Sequence, residues 1–131
     1  MASILGVVML DTRFPRLPGD IGNPTTFSFP VRYHVVVGAS PSRVVIDADR
    51  SLLAPFIAAA QALEAEGCTA IATSCGFLAL FQRELQAAVA VPVWTSSLLL
   101  VSELQAALPA GRRVGVVTAD AAALTSAHLR G

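Results

Sequence analysis

Residues Ile4 to Leu10 form one apolar run interrupted only by Gly6, and the run stops abruptly at Asp11-Thr12. A strand that carries apolar side chains on both faces has to be covered on both faces, which is the situation of a central strand in a parallel sheet. Parallel neighbours need long crossover connections, so the remaining segments should alternate between strands and helices. They do. Tyr33 to Gly38 reads as a second strand, and Ala39 to Asp49 as a connector containing Pro41. Leu52 to Glu66 reads as a helix with Leu52, Leu53, Phe56, Ile57, Ala60 and Leu63 on one face, and Gly67 stands where a left-handed residue ends a helix.

Cys68 to Ser74 is the third strand, and Phe77 to Val89 the next helix, with Leu78, Phe81, Leu85 and Val89 turned inward. Val91 to Trp94 is a short fourth strand, held to an edge or a strand start by Pro92. Ser96 or Ser97 can cap a helix that runs to Leu108 and closes at Pro109-Ala110-Gly111. Val114 to Thr118 has the pattern of a fifth strand, and Asp120 can cap a last helix. The fold expected is α/β: a doubly wound parallel sheet of four to five strands, helices on both faces, in the flavodoxin-like order 2-1-3-4. In that order strands one and three lie side by side at the switch point, so Asp11 and Cys75 should share a crevice at their carboxyl ends.

One segment breaks the alternation. From Asp11 to Arg32 there are four of the eight prolines (Pro15, Pro18, Pro24, Pro30), interspersed with Gly19, Asp20, Gly22 and Asn23. A loop of this length without regular structure is either a binding loop or a rigid surface connector.

Composition sets limits. The chain has 131 residues, enough for one domain with a core, and is 54% hydrophobic. No apolar run reaches the length of a membrane span, and no basic segment precedes an early apolar run as in a signal peptide. Nine basic residues, all arginine, balance nine acids, leaving neither a stripe for nucleic acid nor an acidic tail. Cys68 and Cys75 are separated by one strand, about 23 Å at roughly 3.3 Å per residue, too far for a disulfide. Reduced thiols suit a cytoplasmic setting, and the apolar content would favour association into a homodimer.

The chemistry centres on Cys75, between a strand and a helix and flanked by Ser74 and Gly76. Helix N-terminal amides would favour its thiolate and would also attract an anion. The alternative is a buried cysteine acting as a small hydrophobe, which is how Cys68 reads. His34 and His128 have no partner at triad or metal spacing, and no metal-ligand cluster, P-loop or GxGxxG occurs. A cofactor is not implied.

The stretch Ile71-Ala72-Thr73-Ser74-Cys75-Gly76-Phe77-Leu78, the opening strand ending in Asp11, and the loop from Phe14 to Pro24 together resemble the aspartate/glutamate (hydantoin) racemase superfamily. That resemblance implies a cofactor-independent isomerase, a small carboxylate as substrate, and two similar halves with one cysteine each. Residues 1–111 would then be the N-terminal racemase-like domain, and residues 112–131 the start of a second half that is missing. It further implies Cys75 as the acid/base thiol, with Asp11, Thr12, Ser74, Gly76, Phe77 and Thr118 on the substrate side. Arg16 and Asn23 are the loop residues to test for substrate contact. With one thiol a two-base racemisation cannot be completed, so activity of this chain alone is expected to be weak or absent. Alternatives are a decarboxylase or diacid isomerase of the same superfamily, or a non-catalytic carboxylate-binding domain.

Overall fold

In a computed structural model, which describes residues 2–130, the apolar opening run becomes β1 (Leu5–Met9) at the interior of the sheet. It is flanked in parallel by β2 (Val31–Val35) and β3 (Ala70–Thr73), and β3 is flanked by β4 (Val93–Trp94). The order is β2-β1-β3-β4, the one expected from the sequence. Register is set by Val7, opposite Tyr33 on one side and Ala72 on the other. β2 starts two residues earlier than its pattern suggested and ends three residues sooner, as Val36 turns away with its N–H still on the Met9 carbonyl.

Alternation along β1 sends Val8 to one face and Val7 to the other, both fully buried. On the Val8 face lie α1 (Leu53–Ala65) and α2 (Gln82–Ala88), which bury Phe56, Leu63, Leu78 and Leu85 against Ile71 and Val93. Phe56 and Phe81 join the two helices as a tilted ring pair 6.1 Å apart. The other face is covered mainly by the proline-rich loop: a Cβ on Gly22 would run into the Met9 and Arg16 side chains, and the Tyr33 hydroxyl donates to the Ile21 carbonyl at 2.9 Å.

Both ends of α1 follow their sequence signals. Asp49 accepts from the Ser51 amide at 2.9 Å and from its hydroxyl at 2.6 Å, while its other oxygen takes Arg43 at 2.7 Å. The Ser51 hydroxyl and Arg43 together hold the Asp49 carboxyl down at about 2. At the far end Gly67 has φ +92°, and the Gly67 and Cys68 amides return to the Glu64 and Leu63 carbonyls, a Schellman ending. That ending aims Cys68 back into the sheet beside Gly6. The next two helices begin tightly wound: Gly76–Phe81 leads into α2, and Ser97–Leu100 leads into α3 (Val101–Ala107), each with i→i+3 bonding.

Val114–Thr118 does not join the sheet. The reason lies at the β4 edge, where α2 has supplied the partners a fifth strand would bring. Gln82 accepts from the Thr95 N–H at 3.0 Å and donates to the Val93 carbonyl at 2.7 Å. One turn on, Gln86 accepts from the Val93 N–H at 2.9 Å and donates to the Val91 carbonyl at 3.0 Å. Glu64 then takes the Ala90 and Val91 amides at 2.7 and 3.2 Å. Residues 114–118 run as an extended segment outside the sheet, held at its start by the Val114 N–H on Gln105. Asp120 does cap, taking the Ala122 and Ala123 amides, but the residues after it form turns rather than a helix. Among the described residues no helix is long and apolar enough to cross a membrane.

Candidate functional site

β3 ends by being stitched to β1. The Ser74 N–H donates to the Val8 carbonyl, and its Oγ accepts from the Leu10 N–H, both at 3.0 Å. Below, the buried Thr73 hydroxyl lies 2.6 Å from the Thr95 carbonyl and 3.1 Å from that of Cys75, tying the turn to the end of β4. Cys75 keeps extended backbone angles (φ −138°, ψ 119°) and occupies the N-cap position of the helical stretch that begins at Gly76.

The half-buried Cys75 thiol lines a cavity of about 320 Å³. Its walls come from four places: Ser74, Gly76 and Phe77 around the thiol, Ser96 to Leu98 after β4, Val45, and residues 116–119 with Leu124 from the C-terminal segment. Every lining side chain is uncharged. Two helical stretches start at this cavity, at Gly76 and at Ser97, and they approach closely. A Cβ on residue 76 would come within 3.0 Å of Ser96 Oγ, so glycine is what allows the approach.

The expectation that helix amides favour the Cys75 thiolate is corrected by the balance of effects. Burial pushes the thiol up, and this outweighs the lowering from the Phe77 and Leu78 amides and from Arg16. Cys68, also free, is fully enclosed and likewise raised by burial.

Of the residues singled out from sequence, Cys75, Ser74, Gly76, Phe77 and Thr118 all line this cavity. Asp11 stands at the carboxyl end of β1 beside the turn, but its carboxylate accepts the Gly38 N–H at 2.9 Å. Thr12, Arg16 and Asn23 are engaged within the proline-rich loop and are not among the cavity's lining residues. Arg16 pairs with Asp20 at 3.1 Å, donates to Thr12 at 3.0 Å and stacks on Phe14 at 4.3 Å. Asn23 accepts from the Thr25 N–H and donates to the Arg16 carbonyl, both at 2.8 Å. Sequence reasoning missed Ser96, Ser97, Val45 and Leu124. The two serines carried a signal as helix caps, but nothing in their spacing tied them to Cys75.

A second hollow, about 740 Å³, follows the β4 edge between Ile21, Trp94, Leu100 and Glu103. It is larger but lacks the thiol, and its glutamines are committed to the strand edge.

His128, read as structural, is buried at 2% exposure. Its Nδ1 accepts the Thr125 N–H at 3.0 Å, and its ring stands nearly perpendicular to Phe77 at 5.2 Å. Burial holds its pKa below the ordinary histidine value.

Fold and site together define a parallel α/β unit with an uncharged thiol cavity at the carboxyl edge of its sheet. The chain is similar to a dimethylsulfoniopropionate lyase of Durusdinium sp. clade D, with 34% identity over 127 residues, which is 95% of this chain and 42% of the relative. It is also similar to dimethylsulfoniopropionate lyases 7 and 3 of Emiliania huxleyi, each at 31% identity over 92% of this chain, and 36% and 32% of those proteins. The chain thus spans well under half the length of the curated relatives it matches. No family model matches, and no solved structure matches.

These relatives overturn the racemase reading. They are named lyases, not isomerases, so neither membership of the aspartate/glutamate racemase family nor amino-acid racemisation stands. The decarboxylase, diacid-isomerase and non-catalytic alternatives do not match that naming either. What the sequence motifs captured is a strand-to-helix turn with a thiol, and such a turn does not by itself fix the reaction.

Proposed function

We propose that this chain contributes the thiol site of a lyase that eliminates dimethyl sulfide from dimethylsulfoniopropionate, leaving acrylate. The observation that carries the reading is the similarity to a lyase of that name along 95% of the chain. In this reading Cys75 is the general base. Its thiolate takes a proton from the carbon next to the carboxylate, that C–H pair becomes the new C=C bond, and the C–S pair leaves on sulfur. The departing group is neutral dimethyl sulfide, which needs no proton. One base therefore suffices, which agrees with a single thiol in the cavity.

The cavity's character supports the same substrate. A zwitterion with one carboxylate and one sulfonium has no net charge, and the lining here has no charged side chain. The sulfonium's methyl groups can rest on Val45, Phe77, Leu98 and Leu124 while hydroxyls meet the carboxylate. A cation entering beside the thiol also favours its ionised form, opposing the burial that raises Cys75 in the free protein. Ser74, Gly76, Phe77 and Thr118 remain the proposed substrate-side residues. Included in the proposal is a reducing, cytoplasmic setting, which two free thiols favour.

The test is dimethyl sulfide in the headspace over protein and dimethylsulfoniopropionate, measured by gas chromatography on the longest form in which the chain is encoded. Release should fall by about 10²-fold or more in Cys75→Ala. No release, or release that survives that substitution, overturns the reading.

A further inference from the structure

A cavity with uncharged walls must hold a carboxylate through neutral donors, and the placement of Ser96 singles it out among them. Its backbone is extended (φ −162°, ψ 148°), and its Oγ accepts the Leu98 N–H at 3.1 Å, which fixes the side-chain rotamer. That bond uses a lone pair and leaves the hydroxyl hydrogen without an acceptor among the described residues. The same oxygen sits 3.0 Å from the position a Cβ on Gly76 would take, immediately beside Cys75. Ser74, on the other side of the thiol, is fixed in the same way by the Leu10 N–H. Ser97 is exposed, with no side-chain bond among the described residues to hold it.

We infer that Ser96 anchors the substrate carboxylate, donating its hydroxyl hydrogen to one carboxylate oxygen across the Gly76 backbone. This inference rests on the elimination reading for the identity of the substrate, and on the cavity alone for the placement of the carboxylate. It gives residue 96 two tasks, capping the stretch that starts at Ser97 and orienting the substrate so that its α-carbon faces the Cys75 sulfur. It also accounts for glycine at 76, since any side chain there would fill the space between anchor and base.

The test uses binding rather than turnover. Alkylation of Cys75 by iodoacetamide is followed by mass spectrometry with increasing sodium propionate, against sodium chloride at equal ionic strength. Protection is read relative to each variant's own unprotected rate. Propionate should protect the native protein and Ser96→Thr alike, because threonine keeps both the cap and the hydroxyl. In Ser96→Ala the half-protecting concentration should rise about tenfold or more, as befits a lost hydrogen bond to a charged group. Ser96→Asp keeps an acceptor for the Leu98 N–H but sets a negative charge against the carboxylate, so protection should vanish while the fold persists. Equal protection of the native protein and Ser96→Asp, or no protection of the native protein, overturns the inference. Ser96-dependent protection without dimethyl sulfide release upholds the anchor and removes only the lyase reading.

Discussion

Gly76 and Ser96, twenty residues apart, meet so closely that the space for one Cβ is already taken: Ser96 Oγ lies 3.0 Å from where that atom would be. Gly76→Ala should therefore either push the two turns apart or rotate Ser96 off the Leu98 N–H. Either outcome costs about 1–2 kcal/mol, through overpacking or through loss of a cap. Urea denaturation checks this. Combining Gly76→Ala with Ser96→Ala should cost less than the sum of the two, because the clash disappears with the hydroxyl.

Cys75 should behave as a thiol raised by its surroundings. At pH 7 its alkylation by iodoacetamide should be slower than that of free cysteine, and the rate should go on rising beyond about pH 8.5, the ordinary thiol value. The sign comes from burial favouring the neutral form over the combined pull of the Phe77 and Leu78 amides and Arg16. Arg16→Met should move the profile further toward alkaline pH. A rate that levels off below pH 7 contradicts the assignment.

The glutamines of α2 should matter more than their exposure suggests. Gln82→Leu leaves the Thr95 N–H and Val93 C=O without their present partners, at a cost of about 1–3 kcal/mol. Gln86→Leu does the same to the Val93 N–H. With both replaced, the β4 edge presents free backbone groups, and light scattering should show association that the native chain lacks at the same concentration.

His128 makes the C-terminal segment sensitive to acid. Its Nδ1 is an acceptor, so the bound form is neutral and the folded pKa lies below the ordinary value near 6.5. Its contribution to stability is fully present above that value and is lost as pH falls toward the folded pKa. Arg83, which donates to the Arg130 carbonyl at 3.2 Å, and Arg130 itself add positive charge on this side, while Asp120 is occupied by its cap. Hydrogen exchange at the Thr125 amide should accelerate between pH 6.5 and 5 while amides of β1 stay protected, and His128→Phe should remove that pH dependence.

Much of the frame was legible because it depends on local rules. An apolar strand ending at Asp11, a helix closed by Gly67, and a thiol at a strand-to-helix turn are each written in a few consecutive residues. From these came the strand order and the company of Ser74, Cys75, Gly76 and Phe77. The rest was set by groups that meet only in three dimensions. Arg16 and Asn23 looked available for a ligand, yet they are used within the loop, whose backbone needs its own partners. Val114–Thr118 has a strand's composition, but composition cannot reveal that Gln82 and Gln86 reach the edge first. The sign of the Cys75 shift depended on weighing burial against two amides and a distant guanidinium, a comparison no linear motif contains. The reaction itself was misread because a thiol beside an anion-accepting turn suits several chemistries of carbons next to carboxylates.

The amide groups of Gln82 and Gln86 have a consequence for growth. A primary amide offers the same donor and acceptor as a peptide unit, so α2 in effect contributes two detached links of backbone to the rim of the sheet. Those links cannot be paired further, because they belong to no strand. Widening the sheet on that flank would mean lifting the helix that also roofs Leu85 and Val93. Among the described residues the β2 flank has no such stop, so any additional strand, from whatever source, would have to arrive there.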